Sequence, residues 1–298
     1  MAILRTTNLT RRYGSRIGVD QVNLQVDAGQ IFGFLGPNGA GKTTTIRLLM
    51  GFLKPDAGKA EIAGLDCWSR SAQVKRDIGY LPGDLRLYSW LTLRNALPIV
   101  SRVRGEDISA RAGELAERFD LEPTLPVRKM SRGTRQKLGL VLAMAHRPKL
   151  LVLDEPTSGL DPLMQSRLAD LVREAAAAGA AVFFSSHTLS EVDSLCDRVA
   201  IVRRGKVIVD ETLDVLRHQA PRVVELQYAD ESQATSAALP EFLQLNERRG
   251  AVMHCELDGA TPPLVAWASE QPLVDIRISR PDLEAVFHRL YHEPVEAI

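Results

Sequence analysis

The run Gly36-Pro37-Asn38-Gly39-Ala40-Gly41-Lys42-Thr43 fills the pattern G-x-x-x-x-G-K-[ST] at every constrained position. Glycines at Gly36, Gly39 and Gly41 let a backbone wrap closely, so that several N–H groups, Asn38 among them, can point at phosphate oxygens. The positive end of a helix starting at Lys42 would add to that field. Lys42 would face the β- and γ-phosphates, the Thr43 hydroxyl would ligate Mg²⁺, and Thr44 completes the phosphate-binding set. Further along, Leu150-Leu151-Val152-Leu153 runs into Asp154-Glu155. Here an apolar strand delivers two carboxylates to its carboxyl end, where ligands bind in open α/β sheets. Asp154 would hold the metal through water, and Glu155 would act on the attacking water as general base or by orienting it. Together the two motifs point to a nucleoside-triphosphate site with Mg²⁺.

The elements around these residues suit the task. Ile31 to Leu35 reads as a strand entering the glycine-rich turn, with a helix from Lys42 to about Leu49. From about Leu91 to His146 the periodicity is helical: Leu115, Ala116 and Phe119 share one face, and Leu138, Val141, Leu142 and Ala145 share another. Pro98 should kink or shorten the first of these helices. Asp161-Pro162 opens a helix with Asp as N-cap and Pro at the first position. Ala181 to Phe184 is a strand leading to His187, and Arg198 to Val209 is a hairpin turning at Arg204-Gly205. Beyond Gln219-Ala220-Pro221 the pattern changes. Strand (Val223 to Tyr228), helix (about Ser232 to Leu243), two strands flanking Gly250, helix (about Pro263 to Ser269) and strand (Leu273 to Ile278) follow. That order resembles a split βαβ sandwich, closed by a helix from Pro281.

Composition narrows the function classes. Lys plus Arg number 37 and Asp plus Glu number 37, a balance that speaks against binding nucleic acid through global charge. Cys67, Cys196 and Cys255 are odd in number and far apart, which excludes a disulfide framework or a CxxC metal site. No stretch approaches the roughly 20 apolar residues of a membrane-spanning helix, so any work at a membrane goes through a partner.

Three further features extend the two motifs: Met130-Ser131-Arg132-Gly133-Thr134-Arg135-Gln136-Lys137 ahead of a helix, Ser158-Gly159-Leu160-Asp161 after Glu155, and His187 at a strand end. In this order and spacing, over roughly Leu4 to Leu216, the sequence resembles the nucleotide-binding subunits of ATP-binding-cassette (ABC) transporters. The resemblance implies a fold and a set of roles. The fold is α/β: a P-loop NTPase core over residues 1–218 with a helical subdomain at about 87–147, then a small α+β accessory domain over 222–298. Tyr13 would stack on adenine, and Ser131 and Gly133 would cap the γ-phosphate bound by a facing protomer. His187 would hydrogen-bond the γ-phosphate. Asp161 would contact across the dimer, or serve only as the N-cap.

The variant S-R-G-x-x-Q-K at Ser131 resembles the drug, antibiotic and polysaccharide exporter branch. A second departure follows Ile78-Gly79-Tyr80-Leu81-Pro82, where the family commonly carries Gln or Glu and this chain carries Gly83 and then Asp84. Gly83 has no side chain to meet the metal, and Asp84 is the candidate to substitute through water. The implied partners are a separate transmembrane permease and a second ABC subunit, identical or paralogous, with no nucleic acid. The implied location is the cytoplasmic face of the membrane, peripherally. The competing expectation is a soluble ABC ATPase acting on ribosomes or DNA, but such chains carry two cassettes or a long insertion between the two motifs.

Overall fold

The computed structural model describes residues 1–219, 222–279 and 287. The chain divides into two compact units, Met1–Thr212 and Leu213–Ile298. The boundary therefore falls before the helix Leu213–Gln219, which the sequence pattern had grouped with the first domain.

The first unit is built on a six-stranded sheet in the order Lys206–Thr212, Arg198–Arg203, Ile31–Leu35, Ala181–Ser186, Leu150–Asp154, Ile78–Leu81. All neighbours are parallel except the first pair, the hairpin turning at Arg204-Gly205. Ile31–Leu35, Leu150–Asp154 and Ala181–Ser186 are buried along their whole length, which explains why their sequences are continuous apolar runs rather than alternating ones. The register pairs Leu35 with Ser186, Asp154 with Ser185 and Leu81 with Leu153. The carboxyl ends of four strands are thereby brought level at one edge of the sheet.

A second, four-stranded antiparallel sheet was not foreseen as such from the sequence. It orders Arg16–Asp27, Ala2–Tyr13, Ala57–Ile62 and Leu65–Asp66. Its inward residues Leu4, Leu9, Val22 and Val26 share one core with Phe32, Phe34, Ile46, Val152 and Phe183. The Phe183 ring centroid lies 5.9 Å from that of Phe32 and 5.2 Å from that of Phe34. Burying such rings accounts for much of the stabilisation, at about 25 cal/mol per Å² of apolar surface removed from water.

The helical stretch resolves into Leu93–Arg104, Ser109–Arg118 and Arg132–Met144, with Leu115, Ala116 and Phe119 buried as their shared face requires. Pro98 does not shorten its helix. A Thr92–Asn95 capping box at one end and a left-handed Gly105 at the other hold the turns on both sides of the missing N–H.

In the second unit the strands order Leu243–Arg249, Val252–Leu257, Arg222–Tyr228, Leu273–Ile278, all antiparallel. This is the arrangement of a split βαβ sandwich. Val224, Leu226, Tyr228, Met253, Cys255 and Leu257 face one side and pack with Ala234 and Leu264 of the helices Glu231–Ser236 and Thr261–Ser269. The first of these helices is shorter than the pattern suggested. It ends at Ser236 with Ala237 already extended, Pro240 bars any continuation toward Leu243, and Leu243 instead opens a strand against Leu257. Of the closing helix expected from Pro281, only Phe287 is among the described residues, and it is buried; the rest of that segment lies outside them.

Candidate functional site

The level strand ends set four short segments side by side: the glycine-rich loop after Leu35, Pro82-Gly83 after Leu81, Asp154-Glu155, and Ser186-His187. The loop itself depends on absent side chains. Gly39 and Gly41 have φ of +81° and +114°, which only glycine adopts freely. A Cβ on Gly41 would stand 2.6 Å from the Gly18 carbonyl oxygen, and one on Gly36 2.5 Å from that of Val202. The loop then feeds the helix Lys42–Leu49, whose first N–H groups have no acceptors within the helix.

Lys42 is buried, and its Nζ donates to the Gly36 carbonyl at 2.6 Å. The same ammonium lies 3.4 Å from Glu155 Oε1. The other carboxylate oxygen of Glu155 lies 3.3 Å from His187 Nδ1, so Lys42, Glu155 and His187 form a chain. Asp154 is buried at 3% exposure and oriented at both oxygens. Ser185 Oγ donates to Oδ1 at 2.6 Å, and Thr43 Oγ1 donates to Oδ2 at 3.3 Å.

Glu155 has a φ of +50°, unusual for a non-glycine residue and costing of order 1–3 kcal/mol. The conformation is held from two sides. Its N–H donates to the Ser185 carbonyl at 3.1 Å, and buried Gln136 donates through Nε2 to the Pro156 carbonyl at 3.1 Å. The turn aims the carboxylate back over the glycine-rich loop instead of letting it continue along the strand.

A cleft of about 350 Å³ opens at this edge. Tyr13, Asn38, Gly39, Gly41, Lys42, Thr43, Thr44 and Glu155 line it. Gly36 contributes through the carbonyl that holds Lys42. Tyr13 is 43% exposed, with the Arg11 guanidinium 5.3 Å from its ring centre. Ser131 and Gly133 do not line the cleft. Ser131 caps the helix Arg132–Met144, its Oγ accepting the Thr134 N–H at 3.0 Å, and Gly133 is pressed against the Gly159 carbonyl. Asp161 likewise caps Pro162–Ala177, accepting the Met164 N–H at 3.0 Å.

Several residues of the site escaped the motif reading: Arg16, Ile17, Gly18 and Arg47 line the cleft, and Ser185 orients Asp154. Gln136 belongs to a quoted motif, but its part in bracing the turn at Glu155 did not show there. Gly83 lies against Asp154: a Cβ there would stand 3.4 Å from Oδ2. Asp84 is exposed and its carboxylate engages Arg86 at 2.8 Å, an arrangement that turns it to solvent. Burial, and then the charge of Asp154, pushes the Tyr80 hydroxyl up to about 12, so it remains a neutral donor beside the site.

Comparison with known proteins agrees with this geometry. A sequence profile of the family described as ABC transporter matches residues 19–158. The bacitracin transport ATP-binding protein BcrA of Bacillus licheniformis is 39% identical over 235 residues, 78% of this chain and 77% of that protein. The daunorubicin resistance ATP-binding protein DrrA3 of Streptomyces coeruleorubidus is 39% identical over 238 residues, 77% of this chain and 75% of that one. A solved structure described as the ATP binding subunit of an ABC transporter superposes with a TM-score of 0.69 at 31% identity, covering 73% of this chain and 92% of the other. The phosphate loop, the paired carboxylates and the histidine at one sheet edge thus belong to an ATPase of the ABC transporter family, and this chain is one of the family's ATP-binding subunits.

Proposed function

We propose that this chain powers an ABC exporter, closing on a second ABC subunit when ATP binds and opening when the γ-phosphate is released. The observation that carries the reading is that Lys42, Thr43 and Glu155 line one cleft, with Asp154 joined to Thr43 at 3.3 Å and with Lys42 and His187 each within 3.4 Å of Glu155. Lys42 and the N–H groups of the loop and helix start hold the β- and γ-phosphates. Tyr13 offers its ring to the base. Glu155, aimed back over the loop, accepts a hydrogen bond from the attacking water and orients it in line with the γ-phosphate. His187 keeps the Glu155 carboxylate in place and reaches the γ-phosphate.

Thr43 and Asp154 are the residues that would hold Mg²⁺. One hydroxyl and one carboxylate 3.3 Å apart fit a small hard cation that takes few protein ligands and draws the rest from phosphates and water. Bound there, the ion would neutralise charge developing on the phosphate oxygens. With Gly83 in place, this edge adds no side-chain ligand beside Asp154.

The exporter assignment is supported by relatives named for bacitracin transport and daunorubicin resistance. Among the described residues no helix is long and apolar enough to cross a membrane. The transport and resistance roles for which those relatives are named support a separate permease as partner and a place for this chain at the membrane's cytoplasmic face. The stacked, exposed pair Tyr88 and Trp90, 5.7 Å apart and following Gly83, is a fitting surface for that permease. Nothing observed favours ribosome or DNA binding. The test is a pair of variants: Lys42→Ala should lose nucleotide binding, whereas Glu155→Gln should bind normally and lose hydrolysis by roughly a hundredfold or more. Equal ATPase rates for Glu155→Gln and its parent would remove Glu155 from the chemistry.

A further inference from the structure

The hairpin of Ala2–Tyr13 and Arg16–Asp27 brings three arginines near the cleft, and they are placed differently. Arg11 pairs with Asp56 at 2.8 Å, and Arg12 reaches Asp20 at 4.0 Å. Arg16 is exposed, and its side chain makes no ion pair or hydrogen bond among the described residues. Its position is nonetheless specific. Tyr13 and Arg16 are directly opposed partners closing the hairpin, so both side chains leave from the same face. Arg16 Nη2 lies 3.8 Å from the point where a Cβ on Gly39 would stand. Gly39 carries no side chain, and the guanidinium therefore faces the backbone of the glycine-rich loop across the cleft that Lys42, Thr43 and Thr44 also line.

We infer that Arg16 is a second phosphate-binding cation, gripping the phosphate chain of the nucleotide from the hairpin that also carries Tyr13. The inference rests on the nucleotide-site reading above. A nucleoside di- or triphosphate brings several negative charges into a cleft whose other cations are Arg47 and Lys42, the latter already shared with Glu155. A guanidinium matches phosphate oxygens two at a time, and one without a carboxylate partner loses no ion pair when it turns to them. Because base and phosphate contacts would come from opposed residues of one hairpin, the hairpin would read the length between adenine and the phosphates.

The test uses the full chain, with Mg-ADP and the non-hydrolysable β,γ-imido analogue of ATP as probes in calorimetric titrations. Arg16→Ala should raise Kd for both about tenfold, the scale of one charge-assisted contact. It should also flatten the dependence of Kd on salt, which loss of an ordering contact alone would leave unchanged. Arg16→Lys should restore the salt slope and part of the affinity, since it returns the charge without the fork. If Arg16→Ala binds both probes as its parent does while Lys42→Ala fails to bind, Arg16 is a solvated turn residue and the inference falls. If Lys42→Ala also keeps parental affinity, the nucleotide-site reading itself is what fails.

Discussion

At the scale of single residues, the site is arranged through partners that carry no phosphate themselves. Asp154 is nearly inaccessible, and one of its oxygens is satisfied by Ser185 at 2.6 Å. That bond leaves Oδ2 to the longer contact with Thr43 Oγ1 at 3.3 Å. Ser185→Ala should therefore do two things. It leaves a buried carboxylate oxygen without its donor, costing about 1–3 kcal/mol of stability. It also lets the carboxylate turn; in the Mg²⁺-holding role proposed for Asp154, an outer partner typically contributes about 10–100-fold in metal affinity. The expected outcome is a lower Tm, together with a rise of at least tenfold in the Mg²⁺ concentration needed for half-maximal ATPase. An unchanged Mg²⁺ requirement would mean that Ser185 supports only the fold.

At the scale of elements, the strand Ile78–Leu81 is the seam between the core sheet and the helix Arg132–Met144. The two approach so closely that a Cβ on Gly79 would run into the Ala143 carbonyl. At the start of that strand the Ile78 carbonyl accepts from Arg104 Nη2 at 3.0 Å and lies 3.1 Å from His146 Nε2. Burial, and next the neighbouring Arg104 charge, pulls the His146 imidazole down to about 4. The sign follows directly. The unfolded chain binds this proton below about pH 6.5, and the folded chain does so only below about 4. The neutral imidazole therefore contributes stability above pH 6.5 that fades as pH falls toward 4. In urea unfolding at pH 7.5 and pH 5, His146→Leu should lose less stability on acidification than its parent. Parallel slopes for the two proteins would exclude His146 as a source of acid sensitivity.

At the scale of the whole molecule, the chain's own cleft lacks two of the expected anion-binding groups. Ser131 and Gly133 stand at the start of another helix, outside the cleft, and Ser131 is exposed. A facing subunit that presents the same helix start to the γ-phosphate would complete the site. In a Glu155→Gln background, ATP should then drive a monomer-to-dimer shift in light scattering, and ADP should not. Adding Ser131→Phe blocks the cap sterically, so ATP should bind each monomer and no longer join two. A double mutant that dimerises as well as its parent would leave Ser131 with only the capping bond to Thr134.

What could be read from the chain alone was local. A strand, a glycine-rich turn and a helix start lie within Ile31 to Leu49, and their chemistry follows from neighbouring residues. The same holds for Leu150 to Glu155 and for the Asp161-Pro162 cap. The less local features could not be read this way. Pro98 signalled a shortening that the caps at both ends of its helix override, and the pattern after Ser232 ran past the helix end at Ser236. The site's remaining parts join segments far apart in sequence: Ser185 meets Asp154 across 31 residues, Gln136 meets Pro156 across 20, and Arg16 meets the loop at Gly39 from a separate sheet. These contacts exist because a parallel register levels four strand ends and packs a hairpin beside them, and no one segment encodes that alignment. Sequence thus determined which groups are available for phosphate chemistry, since motif residues carry their chemistry with them. Tertiary structure decided which of them face each other, since orientation comes from register and packing between distant segments.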